Sequence, residues 1–311
     1  MTNFSHNFAG SGALRADSID VTGTVTAASL VGTLTGDTTG THYGDVVADN
    51  VTLDGVRLLP TLPNTNAEFE AATGLTSAAW WRLDRMIATG NLASLGDVTA
   101  TLATLGSPTF GAELVGPDGK SLRGIHFDAP TGDSLSADVL DPAASSFIAG
   151  GRVGFASDPS GTSHALIGRA KYTGSTIWGW QVYVTDAGDV KLWIGDGNIA
   201  HTQDVTCAAG ALAVGGPPVD VVVQLDRSGA EPVARVRVSR GGVLIAATST
   251  TCTGLGTLST TGQEFGFGPI PAATPMYNGG AWAQGGFCAI GAEAAGATKA
   301  QTVSQGLGWE A

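Results

Sequence analysis

Residues Trp178–Gly195 read WGWQVYVTDAGDVKLWIG. Two runs of alternating residues flank a DAGD turn at Asp186–Asp189, so the stretch reads as a β-hairpin. Successive strand side chains point to opposite faces. Trp180, Val182 and Val184 therefore share a face with Val190, Leu192 and Ile194, while Gln181, Tyr183, Lys191 and Trp193 take the other. An apolar face of this width needs a second layer to cover it.

The surrounding chain supplies that layer. From Ala79 onward, short β-type runs recur: LRGIHFD with Ile125 and Phe127, FIAGGRVGFA, HALIGRAKY, VDVVVQLD, VARVRVS, GVLIAAT and GFCAIGAEA. Gly, Pro and Asp turns separate them, and a second hairpin runs through Arg240–Gly242. The pattern predicts an all-β, antiparallel two-sheet sandwich over residues 75–311. A final short helix is expected near Thr298–Gln305. Ahead of the sandwich, residues 61–74 read as a linker and a short helix. Pro60–Pro63 is a stiff extended spacer, and Thr65 stands three residues before Glu68, the spacing of a capping box, with Gly74 as the stop.

Composition agrees. Gly accounts for 46 of 311 residues, and Gly and Thr interrupt nearly every window that a long helix would need. The hydrophobic fraction of 43% is that of a folding chain. The net charge is −12, and no basic cluster concentrates cation, which excludes nucleic acid and anionic lipid as expected partners. No apolar run reaches membrane-spanning length, so no membrane insertion is expected. The first residues, MTNFSHNFAGSGALRADSID, have neither the basic nor the apolar region of a signal peptide. Cys207, Cys252 and Cys288 are odd in number and widely spaced. They read as small buried hydrophobes, with a Cys207–Cys252 bridge as the alternative.

Residues 17–60 follow a different grammar. Ile19, Val21, Val25 and Val31 stand alone among Thr and Gly, and Tyr43 is the one aromatic. A single such chain has one thin apolar edge and nothing to bury it against. Three copies wound about one axis would share a narrow core, so the segment reads as a homotrimeric β shaft; a flexible Gly/Thr linker is the plainer reading. The polar arm before it, residues 1–16, carries Phe4 and Phe8, which suit docking into a partner's pocket.

The VTG and GTLTG repeats and the closing DGVRLLP (Asp54–Pro60) resemble the shaft and neck repeats of bacteriophage tail fibres and of head or tail spikes. AWWRLD (Ala79–Asp84), GSPTF (Gly106–Phe110), GIHFD (Gly124–Asp128) and DAGDVKLWIG (Asp186–Gly195) resemble the laminin-G-like, concanavalin-A-like jelly roll. Together the resemblances imply a receptor-binding subunit on the surface of a virion or phage-like particle, such as a gene transfer agent. Its partners would be itself, other particle proteins through the N-terminus, and a bacterial surface glycan.

Chemistry-bearing motifs point to binding. The sequence shows no nucleophile elbow, zinc-protease helix or phosphate loop, and the expectation is a non-enzyme. His126 reads as a structural histidine on a half-buried strand. Trp178, Trp180, Tyr183 and Trp193 crowd one hairpin and form the candidate carbohydrate site, since sugar C–H faces stack on aromatic rings. Trp80 and Trp81, within Ala79–Arg82, read as core and interface. Asp186, Asp189, Asp196 and Asn198 flank the same hairpin and form a candidate Ca²⁺ site; the laminin-G-like resemblance implies such a rim site, and turn chemistry alone also explains them. No other cofactor is expected. A passive decorating role and a glycan-cleaving spike are the alternative functions.

Overall fold

The computed structural model describes residues 52–53, 56–57, 62–86, 88, 90–117, 119–127, 133–137, 140–157, 163–173, 176–259, 263–268 and 280–310. The chain divides into two units, Met1–Tyr43 and Gly44–Ala311, and all described residues belong to the second. Phe4, Phe8 and nearly all of the expected shaft lie outside the described residues.

In chain order the strands begin with a small hairpin, β1 Thr52–Leu53 and β2 Val56–Arg57. Helix α1 spans Asn66–Thr73. Then come β3 Ala78–Arg82, β4 Asn91–Ala93, β5 Thr101–Leu105, β6 Thr109–Val115, β7 Ser121–Phe127, β8 Ser134–Ala137 and β9 Phe147–Phe155. They are followed by β10 Ser163–Thr173, β11 Thr176–Thr185, β12 Val190–Asp196, β13 Gln203–Ala208, β14 Val219–Asp226 and β15 Val233–Arg240. The chain closes with β16 Val243–Thr251, β17 Phe265–Phe267, β18 Ala281–Ile290 and helix α2 Lys299–Gly306.

The strands build two antiparallel sheets of a jelly-roll-like sandwich. One has the order β13-β12-β11-β10-β17-β8-β5-β4; the other runs β16-β15-β14-β9-β18-β7-β6, with β3 also paired to β18. The expected hairpins both form. The β11–β12 register sets Trp180 against Ile194 and Val182 against Leu192. The β15–β16 turn uses Gly241 and Gly242 at φ 59° and 81°, a region that favours glycine.

Alternation decides which side chains meet between the sheets. Trp180, Val182, Leu192, Ile194, Phe265 and Phe267 from the first sheet pack with Val219, Val221, Val223, Phe147 and Phe155 from the second. Trp81 enters the same core and stacks on Phe265, ring centroids 5.4 Å apart. Its neighbour Trp80 points the opposite way and stacks on Phe69 of α1 at 5.3 Å. Both tryptophans are therefore core, which meets the core part of the expectation. Cys207, Cys252 and Cys288 are free and buried, and burial pushes the thiols of Cys207 and Cys288 up to about 12. The Cys207–Cys252 bridge does not form; the thiols behave as small hydrophobes.

The outer face of the second sheet carries a helical layer. Helix α1 starts where its cap predicts: Thr65 Oγ1 accepts the Glu68 N–H at 3.3 Å, and Glu68 Oε2 accepts the Asn64 N–H at 2.7 Å. Gly74 ends it at φ 62°. Phe69, Leu75, Trp80, Ile148, Val222, Phe287, Val303 and Trp309 form one apolar cluster beneath α1 and α2. Farther along the same face, Arg152 and Asp220 are both buried. The guanidinium donates to Asp220 Oδ1 at 2.6 Å and to Gln284 Oε1 at 3.2 Å. Burial pushes the Asp220 carboxyl up, against the pull of Arg152.

Candidate functional site

The β11–β12 hairpin divides the four aromatic candidates between its two faces. Trp180 is 1% exposed and stacks on Phe147 at 5.1 Å. It belongs to the core, where no ligand reaches it, so its place in the expected carbohydrate site is corrected. Trp178 lies on the same face of β11, at the strand end. Its indole is half-buried against the backbone of Gly197, where a Cβ would come within 2.0 Å of the ring. Gly197 holds φ 82° there. Trp178 therefore does not share a platform with the remaining two.

Tyr183 and Trp193 emerge on the outer face of the first sheet. Tyr183 is itself largely buried, but its hydroxyl donates to Asp204 Oδ1 at 2.7 Å. Asp204, on β13, stands directly opposite Trp193 in the register. Lys191 Nζ lies 3.9 Å from Asp204 Oδ2, and the Asp204 side chain remains 50% exposed. Tyr172 of β10 packs on Trp193, ring centroids 5.0 Å apart at 41°. Beneath them Ala165, Ala170 and Ile177 form a small apolar cluster with both tyrosines. The face thus presents a half-buried indole braced from one side, beside a carboxylate whose direction a tyrosine fixes. Such a pair supplies a stacking surface and a hydrogen-bond acceptor about one strand apart, roughly 5 Å.

Sequence reasoning missed Tyr172 and Asp204. Tyr172 ends a run already recognised as a strand, and it pairs with Ile177 on β11; alternation would have put it on the Trp193 face, but the register alone does not set the two rings side by side. Asp204 sits in QDVTCA, where polar residues fill every outward position and leave little apolar signal.

The four residues of the expected Ca²⁺ site do not come together. Asp186 and Asp189 occupy the hairpin turn, whereas Asp196 ends β12 and Asn198 lies just past it, roughly 20 Å away at ~3.3 Å per residue. Each is used by the backbone. Asp186 Oδ1 accepts from Ala187 N at 3.0 Å, Asp189 Oδ1 from Gly210 N at 2.8 Å, and Asn198 Oδ1 from Ala200 N at 3.0 Å. Asp196 accepts from Asn198 N, from Gly256 N at 2.7 Å and from the His201 ring at 2.8 Å. Burial works to raise its carboxyl, but these bonds outweigh it and hold the group below its ordinary range. Among the described residues, no three His, Cys, Asp or Glu side chains gather as a metal site would require. His126 engages Ser157 Oγ at 3.1 Å, in keeping with its structural reading.

No family model matches the chain, and no curated protein matches it. Among solved structures, the binding domain of botulinum neurotoxin serotype D aligns at 9% identity over 78% of this chain and 52% of that one, with a TM-score of 0.49. The binding domain of serotype G aligns at 10% identity over 75% of this chain and 50% of that one, at 0.46. The CBM40 module of the Ruminococcus gnavus IT-sialidase, bound to α2,3-sialyllactose, aligns at 13% identity over 59% of this chain and 89% of that one, at 0.37. The chain spans about half the length of the two neurotoxin binding domains.

Proposed function

We propose that this chain is a fibre or spike subunit of a phage or phage-like particle. It would attach the particle to the bacterial surface by binding polysaccharide, without cleaving it. The observation that carries the binding reading is the outer face of the first sheet, where Trp193 stands opposite the oriented, half-exposed Asp204. A pyranose presents an apolar C–H face and a rim of hydroxyl donors. The indole suits the first and the carboxylate the second. The Gly/Thr-rich residues 17–60 support the fibre reading, since a trimeric stalk would present three such sites together. Three weak sites on one body bind with avidity that none has alone.

The test is titration of the full chain with polysaccharide purified from candidate host envelopes. Trp193→Ala should weaken binding by about 10-fold, close to 1.4 kcal/mol, and Asp204→Asn by a smaller factor. Unchanged affinity in both variants would remove this face from the function and leave the passive decorating role. New reducing ends released from the polysaccharide would replace attachment with cleavage.

A further inference from the structure

We infer that β16 is an interface strand which pairs edge to edge with β16 of a second copy of this chain. An open strand edge offers unpaired backbone N–H and C=O groups to any other strand, and folded proteins normally block such edges. Here the other edges are blocked. β4 is three residues long. β6 carries Glu113 and a bulge where Gly111 takes φ 71°. β13 carries the half-exposed carboxylate of Asp204. The free side of β3 is taken by the following loop, whose Leu95 N and Val98 N donate to Trp80 O and Ala78 O.

β16 has none of these protections along most of its length. It runs nine residues, VLIAATSTT, without a charge or a proline. Among the described residues it ends the second sheet and pairs only with β15. Its bulge falls at Ile245, near the start, so Ala246–Thr251 continues as a regular strand. Val243, Leu244 and Ile245 are 67%, 41% and 42% exposed, a run of large apolar residues open to solvent.

Charge identifies the occupant. The chain carries −12, so most of its surfaces repel a copy of themselves. Along β16 that repulsion is absent. The arginines beside it on β15 are already engaged, Arg235 by Asp226, Arg237 by Glu310 and Arg240 by the Ala211 carbonyl. Among the described residues a charged partner strand would find no unengaged opposite charge there. A neutral strand loses nothing, and β16 is itself neutral. In an antiparallel two-fold pair, opposite residues share a face; with the axis through Thr248, Ala247 of each copy lies opposite Ser249 of the other, both exposed on the outer face.

The experiment is sedimentation equilibrium of the full chain, since a two-fold contact requires an even number of copies whatever residues 17–60 assemble. A dimer or hexamer is the expected result. The double variant Ala247→Lys, Ser249→Lys sets like charges opposite one another in the pair, and should halve that mass while its circular dichroism stays native. Val115→Lys, on the opposite edge of the same sheet, should leave the mass unchanged. A monomer or an odd-numbered assembly at 100 µM would overturn the proposal, as would an even mass that the lysine pair fails to reduce.

Discussion

The two sheets share one core but differ in what their outer faces do. The second sheet buries its outer face twice over: under α1, α2 and Trp309 at one end, and around the Arg152–Asp220 pair farther along. The first sheet, among the described residues, has no helix over its outer face, and it sets Trp193, Lys191 and Asp204 there with partial exposure. The same element type, a strand with an aromatic at alternate positions, thus gives a packing residue on one side and an accessible ring on the other. What separates them is whether a further layer was built.

The contrast makes its largest prediction at the covered face. Trp309 is 1% exposed and packs on Phe287 at 6.1 Å. Trp309→Ala should cost about 3–5 kcal/mol of stability, the range for emptying a buried aromatic site. Trp193→Ala on the open face should cost about 1 kcal/mol or less. Urea unfolding of the two variants checks the pair, and equal losses would mean that the open face is structural after all. Arg152→Ala is expected to be nearly as costly as Trp309→Ala. It strands the Asp220 carboxylate without its partner in a place that water does not reach, a loss of about 3–5 kcal/mol. The double variant Arg152→Met, Asp220→Leu should recover most of it, because no unpaired charge then remains.

Much of the sandwich was legible because its strands declare themselves. The runs around Val182, Val223 and Val236 carry strong alternation or continuous apolar character, and the glycines at 241 and 242 mark the turn between their neighbours. Helix α1 was legible from Thr65, Glu68 and Gly74 alone, since a cap is a local interaction. Its destination was not. Nothing local tells Phe69 that it will stack on Trp80, because that contact depends on β3 turning opposite side chains to opposite layers. The candidate site was half legible for the same reason. Alternation correctly put Tyr183 and Trp193 on one face, yet it cannot say which of two faces a later layer will close. Trp180, the aromatic nearest the centre of the hairpin, went to the core. Short strands such as β4, β8 and β17 left no periodic signal, and they are held in place by pairing with distant segments.

The smallest expected effect lies where the two sheets are tied together. Asp196 ends β12 of the open sheet, and its Oδ2 accepts from Gly256 N, in the loop after β16 of the covered sheet. Its carboxyl is held below the ordinary value of 3.8 in the folded chain. A carboxylate held low when folded contributes stability above its unfolded value, and that contribution is lost as pH falls through the folded one. The native chain should therefore lose this tether on acidification below about pH 4, the ordinary Asp value. Asp196→Asn keeps one acceptor oxygen for Gly256 but has no proton to gain, so the variant should be slightly less stable at pH 7 and show a shallower decline below pH 4. Melting temperatures of both proteins between pH 3 and pH 7 decide it. Parallel curves would show that Asp196 does not couple the sheets, and would leave the shared core as their only bond at that end.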